Sequence, residues 1–222
     1  MVSNKRARMG QGEIEAKAPG RQAFLVKRPH ERARVTDAPR IHAPSVVQEG
    51  ASIGAGAVVG AFSFIAAGAR IGAGTRIQGH TSVWAGVTLG EDVFVGPGAT
   101  FTNVRRPRAR FPRAAVTAAD WDQTVVEDGA TLGARATLVA PVRVGRCAMV
   151  GAGATVTRDV PAHAEVVGVP ARIVGWVCTC GAFLGRSRPA AKAAKPSACA
   201  RCGRTFHREG DGLREAGLTS AP

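Results

Sequence analysis

The feature that most constrains this chain is an apolar residue at every sixth position. From Val35 the series runs Val35, Ile41, Val47, Ile53, Val59, Ile65, Ile71, Ile77, Val83, Leu89, Val95 and Phe101. A second series, one residue out of phase, runs Val126, Leu132, Leu138, Val144, Val150 and Val156. Four residues after most of these stands a small or β-branched side chain, as at Ala51, Ala57, Ser63, Ala69, Thr75 and Thr81, and again at Ala130, Ala136 and Ala148. No α-helix repeats on six residues. A short strand with alternating faces, closed by a corner, does. Three such hexads make a triangular coil, and stacked coils make a parallel β-helix with a narrow interior. Composition agrees: there are 28 Gly but only eight Phe, three Trp and no Tyr, because the prism has little room for rings. Glycines fall where corners are expected, as at Gly56, Gly74, Gly98, Gly129 and Gly153, and corners call for tight turns or positive φ.

The period breaks between the two series. Asn103-Val-Arg-Arg-Pro-Arg-Ala-Arg-Phe-Pro-Arg leads on to Asp120-Trp121-Asp122. This stretch predicts a loop over 104–124, inserted at a corner and placed to reach a neighbouring subunit or cover a cleft. The rest of the plan is a basic arm over 1–28, expected to be disordered, a β-helix over 29–175, a cysteine-bearing segment over 176–210 and a tail over 211–222.

The net charge of +14 raises the question of nucleic acid, and its distribution answers it. Residues 1–40 hold ten Lys/Arg against four acids and residues 171–222 hold nine against three, whereas 41–170 hold eleven against nine. A nucleic-acid reader carries its basic face on the folded body, so the pattern argues against specific nucleic-acid binding and for attraction of small anions. The longest apolar stretch is far short of the ~20 residues of a spanning helix, and no apolar region follows the basic N-terminus as in a secretory signal. A cytoplasmic protein is expected.

Four of the five cysteines lie late in the chain, as Cys178-Thr-Cys180-Gly and Cys199-Ala-Arg-Cys202-Gly. Two close pairs separated by 18 residues fit a tetrahedral, ribbon-type structural zinc site. Four thiolates leave no open coordination position, which argues against catalytic zinc. The linker Ser187–Ser197 is expected to be a mobile loop. Cys147 is read as an inert corner thiol, and His42 and His163 as solvent-facing. Trp84, next to an inward Val83, should point outward and pack at an interface.

With the hexads in hand, the chain resembles the hexapeptide-repeat acyltransferases over residues 35–175. The most specific stretch is Val150-Gly-Ala-Gly-Ala-Thr-Val-Thr-Arg-Asp-Val-Pro-Ala-His-Ala-Glu-Val-Val-Gly-Val-Pro-Ala-Arg-Ile-Val, which is similar to the family's closing coil. The resemblance implies a left-handed β-helix, although parallel crossovers are ordinarily right-handed. It also implies a homotrimer and an acetyl-CoA groove between subunits, involving Gly133, Ala134, Gly151, Ala152 and Pro170, with Arg158 and Arg172 near the coenzyme phosphates. Val95-Gly-Pro-Gly-Ala-Thr-Phe-Thr-Asn-Val followed by Arg-Arg-Pro-Arg resembles the branch that acetylates 3-amino groups of nucleotide-linked sugars, of the UDP-2-acetamido-3-amino-2,3-dideoxyglucuronate type. By that resemblance Asn103 holds the sugar amine.

A neutral amine can attack a thioester without a strong protein base, so positioning carries much of such a reaction. For a hydroxyl acceptor a base matters more, and His80 is the candidate. Their places in the hexads put His80 and Asn103 on different edges of the prism, a side being ~17 Å at strand rise, so they meet only across a subunit interface. Competing readings are an O-acetyltransferase with His80 as base, and a non-enzymatic scaffold or binding module. A zinc carbonic anhydrase on this architecture needs three histidine ligands, and the spacing of His42, His80 and His163 does not provide them.

Overall fold

The computed structural model describes residues 38–110, 120–186 and 197–216. The basic arm over 1–28, Val35, the middle of the inserted loop and nearly all of the linker lie outside the described residues.

Successive short strands visit three faces in rotation. Face A holds β1 (Arg40–Ile41), β4 (Val58–Val59), β7 (Arg76–Ile77), β10 (Phe94–Val95), β13 (Thr131–Leu132) and β16 (Met149–Val150). Face B holds β2 (Val46–Val47), β5 (Phe64–Ile65), β8 (Ser82–Val83), β11 (Thr100–Phe101), β14 (Thr137–Leu138) and β17 (Thr155–Val156). Face C holds β3 (Ser52–Ile53), β6 (Arg70–Ile71), β9 (Val87–Leu89), β12 (Thr124–Val126) and β15 (Val142–Val144). Every pairing between coils is parallel, so the hexads build the expected parallel β-helix. Among the described residues there is no α-helix, and no helix long and apolar enough to cross a membrane.

Stacking is in register: Val59 lies on Ile77, Ile77 on Val95, Val95 on Leu132 and Leu132 on Val150. The residues of both apolar series therefore form one core, buried from Val59 onward. The phase slip is absorbed entirely by the inserted loop. Ile41 is 46% exposed because it belongs to the first described coil, with no described layer beneath it.

At the far end β18 (Ala164–Val167) joins face A, and the chain then reverses. β19 (Arg172–Val177) runs antiparallel to β18, and β20 (Phe183–Arg186) antiparallel to β19. A separate three-stranded sheet follows, of β21 (Ser197–Ala198), β22 (Thr205–Glu209) and β23 (Gly212–Glu215). It carries the cysteine module on to Glu215, past residue 210, because Phe206 pairs with Glu215 across β22 and β23.

His163 corrects the sequence reading. It occupies a corner with φ +61°, yet it is only 2% exposed rather than facing solvent. The module folds back over that corner: Phe206 meets the imidazole edge-on at 4.9 Å, and Nδ1 lies 3.0 Å from the Val177 carbonyl. Hexad position describes the solenoid surface but not what later packs on it.

Candidate active site and cysteine cluster

The edge between faces A and B is one column of stacked turns. Its turns stack Phe62, His80, Gly98, Arg135 and Gly153, each in the left-handed region, with Asp92 doing the same on the C–A edge. His80 donates its backbone N–H to the Ala61 carbonyl at 3.1 Å. Its exposed imidazole stacks on the Phe62 ring, with centroids 4.9 Å apart and planes 6° from parallel. Beyond this aromatic pair Gly98 and Gly153 leave gaps on either side of Arg135: a Cβ on Gly98 would meet the Arg135 Cγ at 3.5 Å, and nothing stands within 4 Å of where a Gly153 Cβ would be. Gly133, Ala134, Gly151 and Ala152 line the same edge in successive coils. A Cβ on Gly133 would strike the Ala152 backbone, so these coils close only with glycine there. The structure thus brings His80 and four of the expected coenzyme residues onto one edge, with three coil spacings of ~4.8 Å between His80 and Gly153.

Asn103 stands on the next edge, between faces B and C, as the hexad count requires. Its Nδ2 donates to the Ala85 carbonyl one coil away at 3.3 Å, and its Oδ1 acceptor is unengaged among the described residues. Asn103 also roots the inserted loop. Its carbonyl accepts from Asp122 N–H at 3.1 Å, and the Asp122 carboxylate accepts from Arg105 N–H at 3.0 Å. Trp121 packs at this stem against Gly86, whose φ of +87° and confined space favour glycine. Between the two edges, face B presents Phe64 and Trp84 outward with ring centroids 5.2 Å apart. Trp84 is 39% exposed, as its outward position predicts.

A cleft of about 180 Å³ opens at the end of the last coil. Val156, Val160, Val166 and Ile173 form its apolar floor and walls, with Arg158 and Arg172 on its rim. The turn after β18 folds over it: Ala171 N–H donates to Thr155 O at 2.8 Å and Thr155 N–H to Gly168 O at 3.0 Å. Pro170 sits in that turn.

Cys178, Cys180, Cys199 and Cys202 come together with all four sulfurs within 4.8 Å of one another. Cys178 and Cys202 are 3.4 Å apart, and Cys180 and Cys199 3.7 Å. These spacings are far beyond the ~2.05 Å of a disulfide. They match the ~3.8 Å edge of a tetrahedron with ~2.3 Å metal–sulfur bonds. The backbone builds the cage: Gly181 N–H donates to Cys178 O and Gly203 N–H to Cys199 O, both at 2.8 Å. The Arg204 N–H, donating to Cys202, pulls that thiol down to about 6. Burial pushes the Cys178 and Cys180 thiols up, so a cation is what would keep them as thiolates. Cys147 is buried, its thiol held above the ordinary range by burial.

Residues 68–103 match the model for bacterial transferase hexapeptide (six repeats), and residues 123–158 that for the hexapeptide repeat of succinyl-transferase. Both matched stretches are made of hexapeptide repeats. A dTDP-3-amino-3,6-dideoxy-alpha-D-galactopyranose 3-N-acetyltransferase of Aneurinibacillus thermoaerophilus is 50% identical over 62 residues, 28% of this chain and 32% of that one. A 2,3,4,5-tetrahydropyridine-2,6-dicarboxylate N-acetyltransferase of Staphylococcus aureus is 40% identical over 87 residues, 39% of this chain and 32% of that one. Among solved structures, a variant of GDP-perosamine N-acetyl transferase from Caulobacter crescentus, in complex with CoA and GDP-perosamine, is similar with a TM-score of 0.52 and 28% identity. That likeness covers 63% of this chain and 57% of that one. The hexapeptide-repeat chain thus spans about a third of the length of the curated relatives it matches.

Phe62, Arg135 and Ile173 escaped the sequence reading. A period of one whole coil carries the signal for Phe62, which stands 18 residues before His80. The inserted loop hides the same relation for Arg135, and Ile173 lies beyond the last hexad.

Proposed function

We propose that this hexapeptide-repeat protein transfers an acetyl group from acetyl-CoA to an amino group on a nucleotide-linked sugar. The observation that carries the reading is the placement of Asn103: one end of its amide is tied to Ala85, and the Oδ1 acceptor, unengaged among the described residues, stands at the root of the loop. An acceptor held in this way can orient an amine N–H so that the nitrogen lone pair faces a thioester carbonyl. The relatives' printed substrates, amino sugars on dTDP and GDP, support the acceptor class.

The amine nitrogen attacks the acetyl carbonyl carbon, the C–N bond forms and the C–S bond breaks. The coenzyme leaves as thiol, with the proton that the amine loses. Acetyl-CoA lies along the A–B edge past Gly133, Ala134, Gly151 and Ala152, with Pro170 at the turn and Arg158 and Arg172 toward its phosphates. His80, held by Phe62, takes that proton from the amine and passes it to the departing thiolate. Since His80 and Asn103 stand on different edges, the reaction needs His80 of one subunit beside Asn103 of another. We therefore propose a homotrimer packed through the face that bears Phe64 and Trp84. The four cysteines hold structural zinc, whose chemistry is to cross-link the module. Reduced thiols in such a site suit the cytoplasm.

An O-acetyltransferase is the second reading, favoured by the exposed His80 imidazole on the A–B edge. Mass spectrometry of products from acetyl-CoA and a panel of UDP-, dTDP- and GDP-linked amino sugars separates the two. An acetylated amine, lost by at least ~100-fold in kcat/KM with Asn103→Ala, supports the first. Acetylated hydroxyls abolished by His80→Ala support the second. A chain that fails to bind acetyl-CoA is a scaffold or binding module.

A further inference from the structure

β19 has two ends with different company. Arg172 and Ile173, at its start, wall the terminal cleft. Val177, at its finish, runs directly into Cys178, which is 1% exposed in the cysteine cage. The strand is six residues long, a lever of ~20 Å.

The cleft end has little burial to hold it. Ile173 and Val174 are each 38% exposed, and the Arg172 guanidinium donates to the neighbouring Ala171 carbonyl. Its pairing with β18 slips between Glu165 and Val166, which separates Arg172 and Ile173 from the ladder at Gly175 and Trp176. The cysteine end is fixed from several sides. Val177 N–H donates to His163 O at 2.8 Å, and Leu213 N–H to Ala162 O at 3.1 Å. Phe206, 1% exposed, packs on His163, and the Arg208 guanidinium sits 5.7 Å over the Trp176 ring. Cys178 and Cys180 lie in the turn joining β19 to β20, while Cys199 and Cys202 belong to the sheet that rests on the His163 corner. The cage is therefore the closing tie in a circuit: solenoid corner, small sheet, cysteines, β19, cleft.

We propose that the cysteine cage is a positioning site for the coenzyme cleft: metal held by Cys178, Cys180, Cys199 and Cys202 sets the place of β19, and through it Arg172 and Ile173. This rests on the acetyl-CoA reading of that cleft. A segment with few buried contacts takes its position from its anchored end. Opening the cage frees the cleft wall while the solenoid, whose core lies elsewhere, stays folded. These side chains are positioning residues, separate from the acceptor-holding Asn103.

The test uses the full chain in three forms: zinc-loaded, chelator-stripped and His163→Ala. His163→Ala keeps all four thiols but loosens the corner on which the small sheet rests. Zinc content, coenzyme A affinity by calorimetry, amide hydrogen exchange and the KM for the amino sugar are measured on each. Stripping is expected to weaken coenzyme A binding at least ten-fold and speed exchange over 172–177. Protection over 52–101 and the amino-sugar KM should stay within two-fold. His163→Ala is expected to retain its zinc and still show part of both losses. Unchanged exchange over 172–177 after verified zinc loss overturns the proposal, as does loss of protection throughout the solenoid, which marks a general stabilising role. If the zinc-loaded chain binds no coenzyme A, the acetyl-transfer reading falls, and the exchange data still decide whether the cage positions β19.

Discussion

The solenoid and the cysteine module solve the same problem by opposite means. In the solenoid, one continuous cluster of buried side chains from Ala57 to Val166 is extended by every coil. Each coil buries a few aliphatic groups against identical neighbours, so the loss of any one is shared. In the module the buried cluster among described residues is Cys178, Cys199 and Phe206, with Cys180, Ala182, Leu184 and Leu213 beside it. So small a core does not offset the entropy of ordering the segment, and in the zinc reading proposed above sulfur ligation supplies the difference. The contrast teaches where to expect graded behaviour and where all-or-none behaviour.

The largest effect should come from metal removal. Structural zinc contributes about 10–16 kcal/mol of apparent binding energy in isolated finger peptides, so stripping should unfold the module outright. Limited proteolysis is expected to cut within residues 178–215 and leave the repeat region intact. Simultaneous digestion of both would erase the contrast.

Next in size is Leu132→Ala in the middle of the core, where Leu132 is fully buried. A cavity there should cost about 2–5 kcal/mol, read as a lower solenoid melting temperature at unchanged zinc content. Zinc loss in that variant would show that the two regions are not separable.

Phe62→Ala removes the ring under His80. Stacked pairs contribute about 0.5–1.5 kcal/mol beyond area, and Phe62 is 60% exposed, so melting should hardly move. Activity should fall by less than about ten-fold, the conversion of that energy. A larger loss in activity would make Phe62 part of the acceptor site.

The smallest effect is a pH dependence. Burial holds the His163 imidazole below its ordinary 6.5. As pH falls through that value the unfolded chain takes up a proton that the folded chain does not, so stability declines until the folded imidazole also titrates. Melting scans between pH 7.5 and 5 should show this decline in the wild type and a shallower one in His163→Gln. Equal slopes would exclude His163 as the source.

Much of the fold was legible because a six-residue period is a local property. It says which side chain points inward at each rung, and Val59 through Phe101 obey it. The cysteine cage was legible because knuckle turns keep each pair close in the chain. The His80–Phe62 stack and the burial of His163 were not. One needs the length of a whole coil, and the other needs contact between residues 163 and 206, set by how the module folds back.

The sequence alone determined that this chain winds into a triangular prism, that His80 and Asn103 occupy different edges and that four thiols come as two close pairs. Only the tertiary structure decided that His80 shares its edge with Gly133 and Gly151, that His163 is covered and that β19 joins the cage to the cleft. The physical reason is range. Periodicity encodes the direction of a side chain relative to its own strand, whereas the company it keeps depends on where distant segments come to rest.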